Sequence, residues 1–363
     1  MDDFDRDVYC LLGLPFDAVD MAGAVARVRH AARQRAPCFL STPNLNFLIA
    51  CQSDASFLDS VMNSDLSIAD GMPLVWLARL LGIPIRERVA GSGLVEALRA
   101  ETDPSLRLPV YFFGGPEGVA EAACRRLNGD PGGLVCAGFD SPGFGSVEDM
   151  SGEETIARIN ASGADFLIVS LGAKKGQAWI ERNRARITVP VISHLGAVVN
   201  FAAGAVSRAP GWMQRTGLEW LWRIREEPAL WKRYWNDGTA LLVAASTRLL
   251  PYALWLRLAA ARQAPAGGTC LEPEGGRCRV LFEGTIPDPV PQNVRQALRE
   301  AAGRREEIVA DCSAAAYFGP GLFGLLLMLR KHQSASAKPL RFVGVSPRLR
   351  RQFRWNGVEY LLN

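Results

Sequence analysis

Asp70 is the side chain best suited to take up a proton. It stands in Ala69-Asp70-Gly71-Met72-Pro73, where a short apolar segment runs into a glycine turn. Arg88 follows in Glu87-Arg88-Val89-Ala90-Gly91-Ser92, just before a second glycine turn. Upstream, Ser41-Thr42-Pro43-Asn44-Leu45-Asn46 comes directly after the apolar Cys38-Phe39-Leu40. Polar residues at the ends of buried strands are where open α/β sheets hold their ligands. A carboxylate in such a place serves as a general base, and a guanidinium there makes a two-pronged contact with phosphate. Each residue also has a plainer reading: a capping or turn aspartate at 70, a polar turn around Pro43, a solvated arginine at 88.

A third candidate is Gly172-Ala173-Lys174-Lys175-Gly176-Gln177, between the apolar Phe166–Leu171 and a helix starting near Gln177. Backbone N–H groups at a helix start suit a nucleotide or its phosphates, but the Walker spacing is missing. His194 closes another apolar strand and is read either as a substrate contact or as a hydrogen-bonded core histidine. Asp3-Phe4-Asp5 has the D-x-D spacing of a divalent-cation site, yet it precedes any strand and reads as a flexible acidic terminus. His30, His194 and His332 are the only histidines, so no zinc-ligand spacing exists. No metal and no cofactor are expected.

The elements that must position these residues follow from the apolar pattern. Val8–Gly13, Cys38–Ser41, Ser67–Ala69, Pro109–Phe113, Leu134–Ala137, Phe166–Leu171 and Val191–His194 read as strands. Asp20–Arg35, Asp54–Asn63 and Val119–Leu127 read as helices. Strand, glycine turn and helix in repetition indicate an α/β fold with a parallel sheet, and the period-2 alternation of a meander is absent. The 363 residues imply two domains. A net charge of +4 is too small to suggest a nucleic-acid partner. The eight cysteines include no C-x-x-C pair and, with an acidic N-terminus that is no signal peptide, read as reduced cytosolic thiols.

From Gly204 to Arg262 there are nine Lys/Arg against four Asp/Glu, and six of the nine Trp. Trp212, Trp220, Trp222, Trp231 and Trp235 are read either as core or, interleaved with basic residues, as a membrane-interface belt. Arg248 and Pro251 interrupt the apolar run Thr239–Leu256. The expectation is therefore a pair of amphipathic helices lying on a surface rather than a span.

In order and spacing, residues 8–240 resemble the WecG/TagA/CpsF family of bacterial glycosyltransferases. The carriers are Thr42-Pro43-Asn44, Ala69–Pro73, Glu87–Ser92, Leu171–Lys175, Ser207-Arg208-Ala209-Pro210 and Gly217-Leu218-Glu219-Trp220-Leu221. The resemblance implies a Rossmann-like GT-E type domain and inverting, metal-independent transfer of a hexose-type sugar. The sugar would be N-acetylmannosamine, glucose or a uronate, moved from a UDP-sugar donor to a polyprenyl-diphosphate-linked acceptor on the cytoplasmic leaflet. The product would serve surface polysaccharide or exopolysaccharide synthesis. In that reading Asp70 and Thr42 are catalytic. Asn44, Asn46, Arg88, Gly91, Gly172, Lys175, Gln177, Arg208, Arg215, Arg223 and Arg225 bind substrate, the arginines stabilising the departing UDP. The family usually reads Pro-Lys-Gln-Glu where this chain has Lys174-Lys175-Gly176-Gln177, so only Lys175 stays in register.

The sequence divides into a transferase domain over 1–262, whose basic and aromatic helices span 211–262, a linker at 263–276, and a module over 277–363. The tail resembles a STAS domain through Ile308–Cys312, Gly321–Leu326 and Phe342–Pro347. Pro320 stands at the usual phosphoacceptor position, so phosphorylation control does not carry over. The module is expected to dock a protein partner or to self-associate. The alternative class is a nucleotide-sugar-sensing scaffold that signals through this tail.

Overall fold

The computed structural model describes residues 2–130, 132–204, 209–259 and 267–362, with only the backbone described at 214, 215, 258, 259, 273 and 274. By contacts the chain forms two compact units: residues 19–75 with 86–234, and residues 1–18 with 76–85 and 235–363. The strands, in chain order, are β1 (Val8–Leu11) and β2 (Leu14–Asp17), which open the second of these units, then β3 (Cys38–Ser41), β4 (Leu66–Ser67), β5 (Leu108–Gly114), β6 (Leu134–Asp140), β7 (Phe166–Ser170) and β8 (Val191–His194), and finally β9 (Gly268–Glu274), β10 (Arg277–Ile286), β11 (Glu307–Phe318) and β12 (Leu340–Val343).

In the first unit β3–β8 form a parallel sheet in the order β4-β3-β8-β7-β5-β6. Its strands are mostly apolar along their length, with polar residues such as Ser41, Ser170 and His194 toward their C-terminal ends, because both faces are covered. Val110, Phe112, Phe166, Ile168 and Val191 pack with the helices Met21–Gln34, Gly91–Arg99 and Val119–Asn128. The alternating Tyr111, Phe113, Leu167, Val169 and Ile192 pack with Glu153–Ala161 and Ala173–Asn183. Trp179 stacks on Phe113 with ring centroids 4.2 Å apart. Cys124 and Cys136 are joined as a disulfide, which corrects the expectation of eight free thiols. The helix Val119–Asn128 packs on β6, which puts their Cα atoms 5.1 Å apart, within disulfide reach.

The second unit joins the two ends of the chain. The β1–β2 hairpin turns through Leu12 and Gly13, both at positive φ, the backbone a two-residue hairpin turn requires. A side chain at Gly13 would meet the Gly357 carbonyl oxygen at 2.8 Å. β10, β11 and β12 run parallel, and β9 is antiparallel to β10. The helix Pro320–Ala335 is buried at Leu322, Phe323 and every residue from Leu325 to Leu329. It is apolar all round because the hairpin covers one side, where a Cβ on Gly324 would sit 2.3 Å from the Val8 carbonyl oxygen.

Contacts therefore cut the chain elsewhere than the sequence suggests: residues 1–18 go with the C-terminal module rather than with a domain over 1–262. Within the expected linker, residues 263–266 lie outside the described residues. Residues 268–274 form β9, paired with β10 across Gly275 and Gly276, both at positive φ. The acidic start is likewise no free tail. Arg6 bonds Asp3 at 2.6 Å and takes both oxygens of Asp17 at 2.8 and 3.1 Å, while Lys331 reaches Asp3 at 3.0 Å. Arg299 pairs with Asp2 and Asp5. Cations from distant helices thus order these acids.

One continuous helix, Pro228–Arg257, replaces the expected pair. Its 30 residues, with a mean hydropathy of 1.3 in the most apolar window, are long and apolar enough by length and composition to cross a bilayer. A π-helical turn at Ala245–Leu249 inserts one extra residue per turn. Leu249 at its end and Tyr252 and Ala253 beyond it are buried, and the Tyr252 ring lies 5.6 Å from that of Trp355. Trp235, Leu242, Leu250 and Leu254 are exposed.

Candidate functional site

The C-terminal ends of β3, β4, β7 and β8 gather the polar motifs of the first unit. β3 sits between β4 and β8, where the sheet order reverses, so the crevice beyond its end is the expected ligand position in an open α/β sheet. Backbone bonds tie the loops there together. Ile68 N–H donates to the Ser41 carbonyl, Asp70 N–H to the Pro43 carbonyl and Val89 N–H to the Ala69 carbonyl, each at 3.0 Å. The Thr-Pro-Asn loop, the Asp70 turn and the Arg88 segment thus lie side by side, although 18 positions separate Asp70 from Arg88.

Arg88 Nε donates to Asp70 Oδ1 at 3.2 Å, and its Nη1 donates to Glu219 Oε2. Arg223 lies 3.7 Å from the other Glu219 oxygen. The Asp70 side chain keeps 26% exposure, so it is reachable by a ligand. Burial pushes its pKa above the usual carboxylate range, and Glu219 adds to the rise against the opposing pull of Arg88 and Arg223. A carboxylate with raised proton affinity, facing two arginines, is equipped to accept a proton next to a bound anion.

The other expected site residues fall into three groups. Thr42 is buried beside Asp70's loop, and Asn44 caps the helix Leu45–Ala50 by accepting from Phe47 N–H at 3.2 Å. Asn46 lies in the first turn of that helix. Gly91 allows close packing: a Cβ there would meet Leu195 at 2.4 Å and Thr42 at 3.3 Å. Gly172 leads into the helix Ala173–Asn183 and Lys175 Nζ donates to the Gly145 carbonyl. Gln177 is buried and donates to Ser41 Oγ at 3.1 Å, leaving its own Oε1 without a protein partner. Arg225 stacks over Trp222 at 5.4 Å. Arg208 lies outside the described residues, and of Arg215 only the backbone is described.

The altered Lys174–Gln177 loop has a local cause. His194 Nε2 is 2.8 Å from the Leu171 carbonyl oxygen, which fixes the ring. A Cβ on Gly176 would lie 2.1 Å from that ring, so only glycine fits opposite His194. Burial lowers the histidine's pKa, against a partial pull upward from the Leu171 carbonyl, so the ring is neutral and packs as core. Glu219 was not expected in the site. The signal was present in Gly217-Leu218-Glu219-Trp220-Leu221, but its acid had no assigned partner.

Three relatives are similar to this chain. The N-acetylglucosaminyldiphosphoundecaprenol N-acetyl-beta-D-mannosaminyltransferase of Bacillus spizizenii is 28% identical over 200 residues, covering 55% of this chain and 76% of the relative. The protein of the same name in Bacillus subtilis is 26% identical, covering 56% and 78%. That of Staphylococcus aureus is 24% identical, covering 61% and 85%. The sequence profile of the glycosyl transferase WecG/TagA/CpsF family matches residues 9–253, more than half of the chain. With the parallel sheet and the clustered Asp70, Arg88 and Glu219 in the matched region, the chain belongs to the WecG/TagA/CpsF family of glycosyl transferases.

Proposed function

We propose that this glycosyltransferase moves a hexose-type sugar from a UDP-sugar to a polyprenyl-diphosphate-linked saccharide, with inversion at the anomeric carbon. The relatives' names support the lipid-linked acceptor and favour N-acetylmannosamine as the sugar. The observation that carries the mechanism is the Asp70 carboxylate, partly exposed at the strand ends beside Arg88. The acceptor hydroxyl oxygen attacks the anomeric carbon, its proton passes to Asp70, and the bond to the diphosphate breaks with its electron pair leaving on UDP. Arg88 and Arg223 offset the charge that develops there, and Thr42 orients the hydroxyl. In this reading no metal is needed. The Asp3-Phe4-Asp5 acids are engaged by Arg6, Lys331 and Arg299, which speaks against a cation site at that motif.

The exposed Trp212, Trp220, Trp231 and Trp235, with Leu242, Leu250 and Leu254, support attachment to the cytoplasmic face of the membrane. The buried Leu249, Tyr252 and Ala253 favour a helix lying in the interface, one face against protein. The STAS-like tail serves regulation or docking in this reading. Asp70→Asn tests the chemistry: with UDP-sugar donors and a polyprenyl-linked acceptor, product measured by mass spectrometry should fall by about 10²–10⁴ while the fold persists. Wild-type turnover in that variant would remove Asp70 as the base.

A further inference from the structure

Glu219 sits 131 positions from Arg88 yet takes one end of its guanidinium, and Asp70 takes the other. The side chains of Arg88 and Glu219 are only 14% and 15% exposed, so the pair is partly desolvated and its geometry is set. Glu219 opens the helix Glu219–Glu226, where a carboxylate also meets the positive end of the helix dipole. Arg223, one turn on, is the second cation near it. Both arginines that face Asp70 are thus paired with Glu219.

We infer that Glu219 is a positioning residue for the transfer: it occupies Arg88 and Arg223 until the donor's diphosphate displaces it. This rests on the transferase reading above. The argument is one of competing anions. A guanidinium satisfied by a carboxylate gives up that charge-assisted bond when a diphosphate takes its place. Donor binding therefore exchanges one anion for another on the same two arginines. The charged groups acting on Asp70 are Arg88, Glu219 and Arg223; two favour its ionised form, and Glu219 alone opposes it.

Contact and charge are separable by two substitutions. Glu219→Gln removes the charge and weakens the hold on Arg88. UDP, titrated by calorimetry, should bind about three- to thirty-fold tighter, the scale of one charge-assisted bond relieved of competition. The acid limb of the kcat/KM profile should move down by about one pH unit, because Asp70 loses the neighbour that opposes its ionisation. Glu219→Asp keeps the charge on a shorter arm: UDP affinity should still rise, while the acid limb stays in place. That variant alone decides if Glu219→Gln does not fold. A residue that merely held its helix would lower UDP affinity in both variants and leave the pH profile unmoved, which would overturn the inference. Wild-type protein that transfers sugar and binds UDP, with both variants unchanged, overturns this inference only. Wild-type protein that neither binds UDP nor transfers sugar overturns the functional reading and the inference together.

Discussion

Arg6 and Arg88 are both held between two carboxylates: Asp3 and Asp17 in the second unit, Asp70 and Glu219 in the first. The two settings tune their acids in opposite directions. Burial alone would raise Asp3, but His332, Lys331 and Arg6 outweigh it and hold that carboxyl far below its usual range. Burial also raises Asp70, and there the second acid adds to the rise instead of being offset by spare cations. Arg6 is completely buried and bonds Asp17 with both prongs, whereas Arg88 gives Asp70 a single long bond and Asp70 stays partly open to solvent. A closed cluster whose cations bond the acid directly fixes structure. An open one, in which a second acid faces the first, leaves a carboxylate available for proton transfer.

The comparison breaks first at Arg6. Arg6→Ala removes both bonds that Arg6 makes to buried Asp17 and its bond to Asp3, and should destabilise the full chain by about 3–5 kcal/mol, measured by urea unfolding. Transfer activity per folded molecule should hold. An unchanged midpoint would mean the cluster does not fix the N-terminal hairpin. The matching change in the first unit, Arg88→Ala, should cost little folding stability because water reaches Asp70. It should weaken UDP binding by about 1.5–3 kcal/mol, read by calorimetry. A large loss of stability with intact UDP affinity would reverse the roles assigned to the two arginines.

A smaller effect is expected at Gly176. Gly176→Ala drives a methyl into the His194 ring, which the Leu171 carbonyl holds in place. The cost should be about 1–3 kcal/mol of stability, the range for overpacking. A double-mutant cycle with His194→Ala should recover most of it, since the clash is between those two residues. Additive effects would show that the glycine serves the loop itself rather than the fit to the histidine.

Much of the sheet could be read from the chain because it is built from local pattern. Cys38–Ser41 and Val191–His194 are strands to the residue. What escaped depends on contacts between distant positions. Pro15 inside β2 argues against a strand in isolation, and only the cover offered by Pro320–Ala335 and the pairing with β1 make the hairpin form. Asp3 and Asp5 read as solvated because Lys331 and Arg299, which join the nearby Arg6 in holding them, lie some three hundred positions away. For the site, the strand-end logic brought Asp70, Thr42 and Arg88 into view from the residues on either side of them. Glu219 needed a partner 131 positions upstream, and no local pattern reports that. The same separation undoes a simple truncation. A chain ended near Ala264 would strip Val8, Leu11 and Phe16, all fully buried, of the helix that covers the hairpin.

The smallest expected effect sharpens the contrast by pH. Asp3 is held below its ordinary value of about 3.9 in the folded protein, so the folded form resists the proton that the unfolded chain accepts. The stabilisation is therefore present in full above the unfolded pKa. It is lost progressively as pH falls through that value toward the folded one, with a slope of at most about 1.4 kcal/mol per pH unit for one proton. Asp3→Asn should lower stability at neutral pH and flatten the decline between about pH 4 and 2, followed by thermal unfolding across that range. Asp70 carries the opposite sign: its pKa is raised, so the folded form binds a proton more readily than the unfolded chain. Its ionisation above the unfolded pKa works against stability, and the opposition grows as pH rises through the folded value. Asp70→Asn should then be neutral or stabilising at pH 7 while abolishing transfer. An Asp3→Asn chain whose acid limb matched the wild type, or an Asp70→Asn chain that lost stability at neutral pH, would show that the two clusters are not tuned in opposite directions.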